Sequence, residues 1–516
     1  MADNAKAAGV LLEVPAAQRD RIISGMRWTV WLSVFAIPFS YATTVILART
    51  SPEAVGTYGL LGVYIGLNLG IFYLGGDAVA IKFIPELQPE KRPSFLVSYF
   101  LVICLAVLPW IAAGAIWPQG LQHLFGKEAG TSFELLLLIL SPIPMMGSLV
   151  SAALKSVLDI GWAQLIYRLA TISSFLVYGS FYFFSRSTLA QHYPLVIWGT
   201  YLTVCFGGAA GGFCRLWRVA GWNRYWRGIR FFLPRGFWAY TLALQQGSAL
   251  SFFLGRLDVI LLLNLGGLAL LGKYVAVITL AGSIRLISGY FVGTLLPSLT
   301  NTLADGNKAG AAAVFHTHMR ILFLVSAAST CGLILLAHPI TSLLGPQYAG
   351  LAPLIVLVAL LIGLCTPGGM GGTLLSSIGK QQRIVYVSLA QIAMYLFLFA
   401  WLWPRYRLAG AVLAYGISWV AGNLAGITVA RLISPFPFSL TRDYVVLAVV
   451  AGAAALIAHF ATLGLASGLG LWLVALALFL ILGRYSLEEC TALIHCFIPL
   501  ARFSPERRAG AAVTNG

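Results

Sequence analysis

The chain has 516 residues, 59% of them apolar and only 9% charged, with a mean hydropathy of +0.88 and a net charge of +17. Soluble domains carry about a quarter charged residues, so a soluble enzyme or binding module is excluded. Runs of roughly 18 or more apolar residues, long enough to cross a bilayer as a helix, fill nearly the whole sequence. Backbone polar groups in hydrocarbon must be satisfied within a helix or a closed barrel. The long, non-alternating runs select helices, and the fold class read from them is all-α and polytopic. Residues 1–20 are polar and charged and lack the apolar core of a cleavable signal peptide.

Taken in chain order, the pattern predicts fourteen spans, near 28–48, 54–77, 94–117, 133–153, 163–184, 194–214, 236–263, 270–296, 320–340, 350–376, 384–403, 409–430, 443–463 and 467–483. Lys and Arg set their orientation. With the N-terminus cytoplasmic, 24 of the 33 basic residues fall on the cytoplasmic side and 6 on the other; Arg168, Arg256 and Arg285 lie inside spans. This bias predicts both termini in the cytoplasm and accounts for most of the net charge without any nucleic acid. The expected organisation is a cytoplasmic segment 1–27, a first lobe 28–214, a basic linker 215–235, a second lobe 236–435, two extra helices over 436–484 and a cytoplasmic tail 485–516.

No loop is long enough to be a domain. The linker RLWRVAGWNRYWRGIRFFLPR interleaves Arg with Trp217, Trp222 and Trp226, the composition of a segment at the lipid interface. Cys490 and Cys496 flank His495, one ligand short of a structural zinc site. No P-loop, GxSxG, HExxH or dinucleotide fingerprint occurs in a suitable context. No cofactor and no intrinsic ATPase are expected.

The stretch TVILARTSPEAVGTYGLLGVYIGL at 44–67 has an echo, DVILLLNLGGLALLGKYVAVITLA, at 258–281. Val45-Ile46-Leu47 answers Val259-Ile260-Leu261, Gly56-x-Tyr58 answers Gly272-x-Tyr274, and Pro85 answers Pro297. Six spans separate the two copies, so both insert in the same direction, a parallel repeat of the kind transporters use.

The segment LARTSPEAVGTYGLLGVYIGLNLGIFYLGGDAVAIKFIPEL resembles the opening of the polysaccharide flippases of the multidrug/oligosaccharidyl-lipid/polysaccharide (MOP) exporter superfamily. Three further blocks share the resemblance: Arg256-Leu257-Asp258-Val259-Ile260-Leu261 with Gly272-Lys273-Tyr274; ITSLLGPQYAGLAPLIVLVALL with SSIGKQQR; and WPRYRLAGAVLAYGISW. Together they cover most of residues 25–435 in order. The resemblance implies two parallel six-helix lobes in a V around a central cavity, plus two C-terminal helices. It also implies alternating access that carries a polyprenyl-pyrophosphate-linked oligosaccharide across a bacterial inner membrane. The partners it implies are that lipid-linked oligosaccharide, membrane lipids, and a glycan polymerase with chain-length or export proteins.

An ionisable group inside a span is a functional hypothesis by default. A guanidinium keeps its charge and forks onto phosphate or carboxylate oxygens, so Arg285 and Arg256 are the expected cavity cations for a pyrophosphate or acidic sugar. Arg168 and Lys82 are candidate entry contacts, with snorkelling to the interface as the alternative. Tyr41, Thr43, Thr44, Tyr64, Asn68, Gln245 and Gln246 are candidates to line a polar cavity or to bond between helices. Asp258 and Asp77 are candidates for ion coupling, with a structural cap or a partner for Lys82 as the favoured reading of Asp77. Residues 28–48 carry no charge, unlike the first helix of lipid II flippases, and no acid lies deep in spans one or eight, unlike cation-extruding multidrug members. Both departures favour an oligosaccharide-lipid carrier. The alternatives are a multidrug cation antiporter on the same fold, a membrane glycan polymerase or ligase, and a non-transporting scaffold of a glycan assembly complex.

Overall fold

The computed structural model describes residue 32 and residues 35–125, 131–157, 159–219, 228–304 and 306–485. The N-terminal segment, Trp222 and Trp226 of the linker, and Cys490, His495 and Cys496 of the tail lie outside the described residues. Among those described there is no strand.

Helix α1 covers 35–50 and ends at the stretch Thr50-Ser51-Pro52-Glu53. There Ser51 is extended, and its hydroxyl accepts from the Ala54 amide at 3.1 Å. Pro52 takes the first helical position and Glu53 the first turn of α2 (Pro52–Leu67). The cap, the fixed proline φ and the anion at the positive helix end each favour a helix start at this point.

The second span, expected as one run over 54–77, is broken. A π-turn over Asn68–Phe72 and a turn through Gly75 and Gly76, at φ 75° and 65°, precede α3 (Asp77–Glu86). Positive φ at both positions suits glycine. Gln245 stitches the break from another helix: its amide donates to Gly70 O and Ile71 O at 2.8 and 2.9 Å and accepts from Gly75 N at 2.9 Å.

The rest of the first half follows as α4 (Arg92–Ile116), α5 (Pro118–Phe125), α6 (Thr131–Leu140), α7 (Pro142–Ser156), α8 (Ile160–Phe184) and α9 (Arg186–Val219). Helix α9 kinks at His192, just ahead of Pro194, where proline disfavours helical backbone in what precedes it. The second half comprises α10 (Phe237–Ala304), α11 (Lys308–Leu335), α12 (Ala337–Leu344), α13 (Ala352–Cys365), α14 (Met370–Ser377), α15 (Gln381–Ile433), α16 (Thr441–Phe460) and α17 (Leu465–Gly483). Helix α10 folds back at Gly267 (φ 73°) and α15 at Arg407 (φ 48°), so each makes two arms.

Ten described helical stretches are long and apolar enough to cross a membrane, and the stretches containing the Gly267 and Arg407 turns are 49 and 53 residues long, room for two crossings each. With the helix 35–50 and the 25-residue α8, the arrangement accommodates the fourteen expected spans. Large apolar side chains face outward, as lipid solvation allows: Phe184 is 87% and Phe460 82% exposed. The protein is a multi-pass membrane protein.

Residues 35–219 and 237–483 pack as two groups of helices, joined mainly where α2 meets α10. Helices α16 and α17 belong to the second group. Trp472 Nε1 donates to Ala328 O at 2.8 Å, Gly468 lies against Leu335 O, and Arg320 Nη2 bonds Arg484 O at 2.9 Å, at the carbonyl end of α17.

Candidate functional site: a cavity between the two halves

The helices enclose a cavity of about 1190 Å³. Helix α2 and the π-turn after it contribute Gly59, Ile65, Gly66 and Leu69 to its lining; α10 and α15 contribute Gln246, Arg256, Thr279, Arg285, Ser388 and Trp419. The cavity reaches Ser376, Gln381 and Gln382, at the end where Lys380 and Arg383 lie, and runs the other way as far as Gly59 and Val275.

The α2 wall carries Gly56, Gly59, Gly62, Gly66 and Gly70, spacings of three and four that put them on one helix face. Side chains of α10 fill that face: Val275 against Gly59, the Arg256 guanidinium against Gly62, and Phe252 against Gly66 and Gly70. A Cβ at Gly62 would stand 2.8 Å from Arg256 Nη1, so the missing side chain admits the guanidinium.

All three charged lining residues come from α10. Arg256 is half-buried, and among the described residues it has no hydrogen-bond or ion-pair partner. Arg285 stacks its guanidinium carbon 3.6 Å from the centroid of the Trp419 ring and donates from Nη1 to Tyr415 Oη at 2.9 Å. The cation–π contact and this bond orient it, and its other donors have no hydrogen-bond partner among the described residues. Asp258, 5% exposed, accepts from Tyr274 Oη at 2.6 Å through Oδ2. Its Oδ1 has no hydrogen-bond partner among the described residues, nor have Gln391 Nε2 and Tyr395 Oη, which line the same small pocket.

The other residues singled out in the sequence are placed as follows. Gln246 lines the cavity, whereas Gln245 is occupied by the backbone of the α2 break. Tyr64 is buried and donates to Leu137 O at 2.9 Å; Thr44 bonds Ser40 O at 3.2 Å; Thr43 and Asn68 are buried. Tyr41 is half-buried near Ser283 of the other half. Arg168 is half-buried on α8, away from the cavity lining. Asp77 pairs with Lys155 at 3.0 Å, not with Lys82; Lys82 instead lies 4.0 Å over the Tyr240 ring. This corrects the expected Asp77–Lys82 pair: α7 brings Lys155 to the start of α3 from 78 positions away.

Sequence reasoning missed the Trp419–Tyr415 support of Arg285, although both residues stand in the WPRYRLAGAVLAYGISW block. It also missed the glycine face of α2, whose spacing was open to view, and the buried carboxyl of Glu134 in the first turn of α6.

No family model matches the chain, and no curated protein matches it. Solved structures do. An inward-facing multidrug resistance MATE family transporter of the MOP superfamily superposes with TM-score 0.64 at 14% identity, over 79% of this chain and 97% of that one. Lipid II flippase MurJ in an inward closed conformation gives 0.60 at 12% identity, over 88% and 98%. A MOP superfamily transporter from Pyrococcus furiosus, described as having a binding pocket of reverse polarity, gives 0.56 at 16%, over 80% and 95%. The class defined by fold and cavity is therefore the polytopic helical membrane protein with a cavity between two groups of helices. Within it, the chain has the fold shared by the MATE transporters and MurJ of the MOP superfamily.

Proposed function

We propose that this protein is a flippase that moves a polyprenyl-pyrophosphate-linked oligosaccharide across the inner membrane of a bacterium by alternating access, for surface polysaccharide synthesis. The observation that supports it is the charge of the cavity. Two guanidiniums line it against one carboxylate, and that carboxylate is turned into the protein toward Tyr274. A carrier of organic cations needs the opposite balance, whereas a pyrophosphate matches forked, unspent donors. The neutral donors and acceptors Gln246, Gln381, Gln382 and Ser388 line the same space and suit sugar hydroxyls. The end at Gln381 and Gln382, beside Lys380 and Arg383, is the cytoplasmic one in this reading, and both termini are assigned to that side. Asp258 is the position proposed for ion coupling. The polymerase and export proteins of such a pathway are the proposed partners.

The test is transport of a fluorescent lipid-linked oligosaccharide in proteoliposomes. Wild type is expected to move it, and Arg285→Ala and Arg256→Ala to lose at least tenfold in rate with unchanged protein content. A deletion strain with intact surface glycan and a raised sensitivity to cationic drugs would move the assignment to a multidrug antiporter. A protein that moves neither substrate would fit a scaffold.

A further inference from the structure

The two copies of the sequence repeat meet just beyond Gly59 and Val275, the part of the cavity lining far from Gln381 and Gln382. Gly56 lies against the carbonyl oxygen of Leu268, and Gly272 against the carbonyl oxygen of Pro52. Each carbonyl is four residues before the glycine of its own copy, so the contact is reciprocal: glycine of one half on backbone of the other, twice. A Cβ at either glycine would overlap that backbone oxygen.

Two polar clasps flank this crossing. On one side His123, in α5, meets Asn264, at the end of the first arm of α10. Asn264 Nδ2 donates to His123 O and to Ile260 O, both at 2.7 Å. The amide orientation is thereby set, and Oδ1 accepts from His123 Nδ1 at 2.5 Å. On the other side Arg49, at the end of α1, donates from Nε to Leu343 O of α12 at 2.8 Å, and Gln347 Nε2 donates to Ala48 O. Arg186 Nη2 in turn bonds Arg49 O at 3.2 Å. The places correspond. Helices α5 and α12 are both eight-residue helices that directly follow a long helix, α4 and α11 respectively. Arg49 and Asn264 stand seven and eight residues before Gly56 and Gly272.

We propose that these four bonds and the glycine crossing form one latch that holds the far end of the cavity shut, and that the cycle proceeds by releasing it. Every one of the contacts joins residues 35–219 to residues 237–483, so each must break if the halves part at this end. The two clasps are chemically unlike although they occupy equivalent places. The clasps are exposed and modest in energy, as a switch requires; the crossing supplies the close fit. The inference stands without the proposed substrate, since it concerns which end is closed.

The test is a distance measurement between spin labels at Gln119→Cys and Gly350→Cys, both exposed and on opposite halves near this end, in an otherwise cysteine-free full-length chain. In wild type the short-distance population dominates. His123→Ala with Asn264→Ala, or Arg49→Ala with Gln347→Ala, is expected to raise the long-distance population roughly fivefold, the effect of about 1 kcal/mol of hydrogen bonding. Opening both clasps is expected to multiply the two effects, and Gly272→Ala to abolish the short-distance state. If the four-residue clasp variant is monodisperse and keeps the wild-type distance distribution, the latch is refuted, as it also is by a lowered melting temperature with no change in that distribution. Should Gly272→Ala fail to accumulate, the clasp variants decide the matter alone.

Discussion

Arg285 and Trp419, 134 residues apart in sequence, form the one cation–π pair among the described residues that faces the cavity, with the guanidinium carbon 3.6 Å from the ring centroid. The indole face holds the cation side-on, so its charge and unspent donors are presented to the cavity rather than to a carboxylate. Trp419→Ala is expected to loosen this presentation without removing the charge. Substrate affinity should fall about two- to thirtyfold, the range of a partly desolvated cation–π contact of about 0.5–2 kcal/mol. Arg285→Lys is expected not to restore the wild-type rate, because an ammonium neither forks nor stacks as a guanidinium does. Equal transport by Arg285→Lys and wild type would show that only charge matters at this position.

Asp258 accepts from Tyr274 Oη and is the position proposed for ion coupling, and substitutions separate the two. Asparagine retains an oxygen that accepts from Tyr274 Oη but does not ionise. Asp258→Asn is therefore expected to keep normal protein levels and downhill substrate exchange while losing any ion-driven accumulation. Measured uptake with and without an imposed proton or sodium gradient decides it. Retained gradient dependence would remove Asp258 from the coupling role.

Gln245 makes three hydrogen bonds to the broken segment of the second span. Gln245→Ala leaves two carbonyls and one amide without that partner in a low-dielectric setting. A loss of about 2–4 kcal/mol in stability is expected, since each orphaned buried group costs roughly 1–3 kcal/mol. A thermal melt in detergent reads this as a clear drop in Tm. An unchanged Tm would mean that water or another side chain replaces the amide.

The start of α2 offers a smaller, cleaner change. Ser51→Ala removes the oxygen that accepts from Ala54 N at 3.1 Å and is expected to cost about 1 kcal/mol. Glu53→Gln is expected to cost only a few tenths, the size of an exposed charge–dipole term. If Glu53→Gln lowers Tm more than Ser51→Ala, the helix start depends on charge rather than on its cap.

Much of the architecture was legible residue by residue. The turns at Gly267 and Arg407 fall in the gaps between predicted spans, because Leu- and Val-rich runs stop there and polar or small residues intervene. The break in the second span was not legible. Asn68, Gly70, Gly75 and Gly76 look like ordinary small residues of an apolar helix, and the amide that holds the break open comes from Gln245, 175 residues from Gly70. The expected Asp77–Lys82 pairing failed for the same reason. Five residues apart was the nearest cation in sequence, but α7 placed Lys155 nearer in space.

The sequence by itself determined the class: a helical, multi-pass protein with a repeat in each half, because hydrocarbon admits only side chains and backbone it need not solvate, and that requirement acts on each span locally. Only the tertiary structure decided what the repeat does. LARTSPEAVGTYGL is a capped helix start whose Gly56 meets Leu268 O, as its echo's Gly272 meets Pro52 O. Packing of two helices from different halves sets which backbones approach, and no local property of either strand of sequence encodes its partner. The same packing gathers Arg256, Arg285 and Trp419 around one cavity and leaves Arg168 and Lys82 outside its lining.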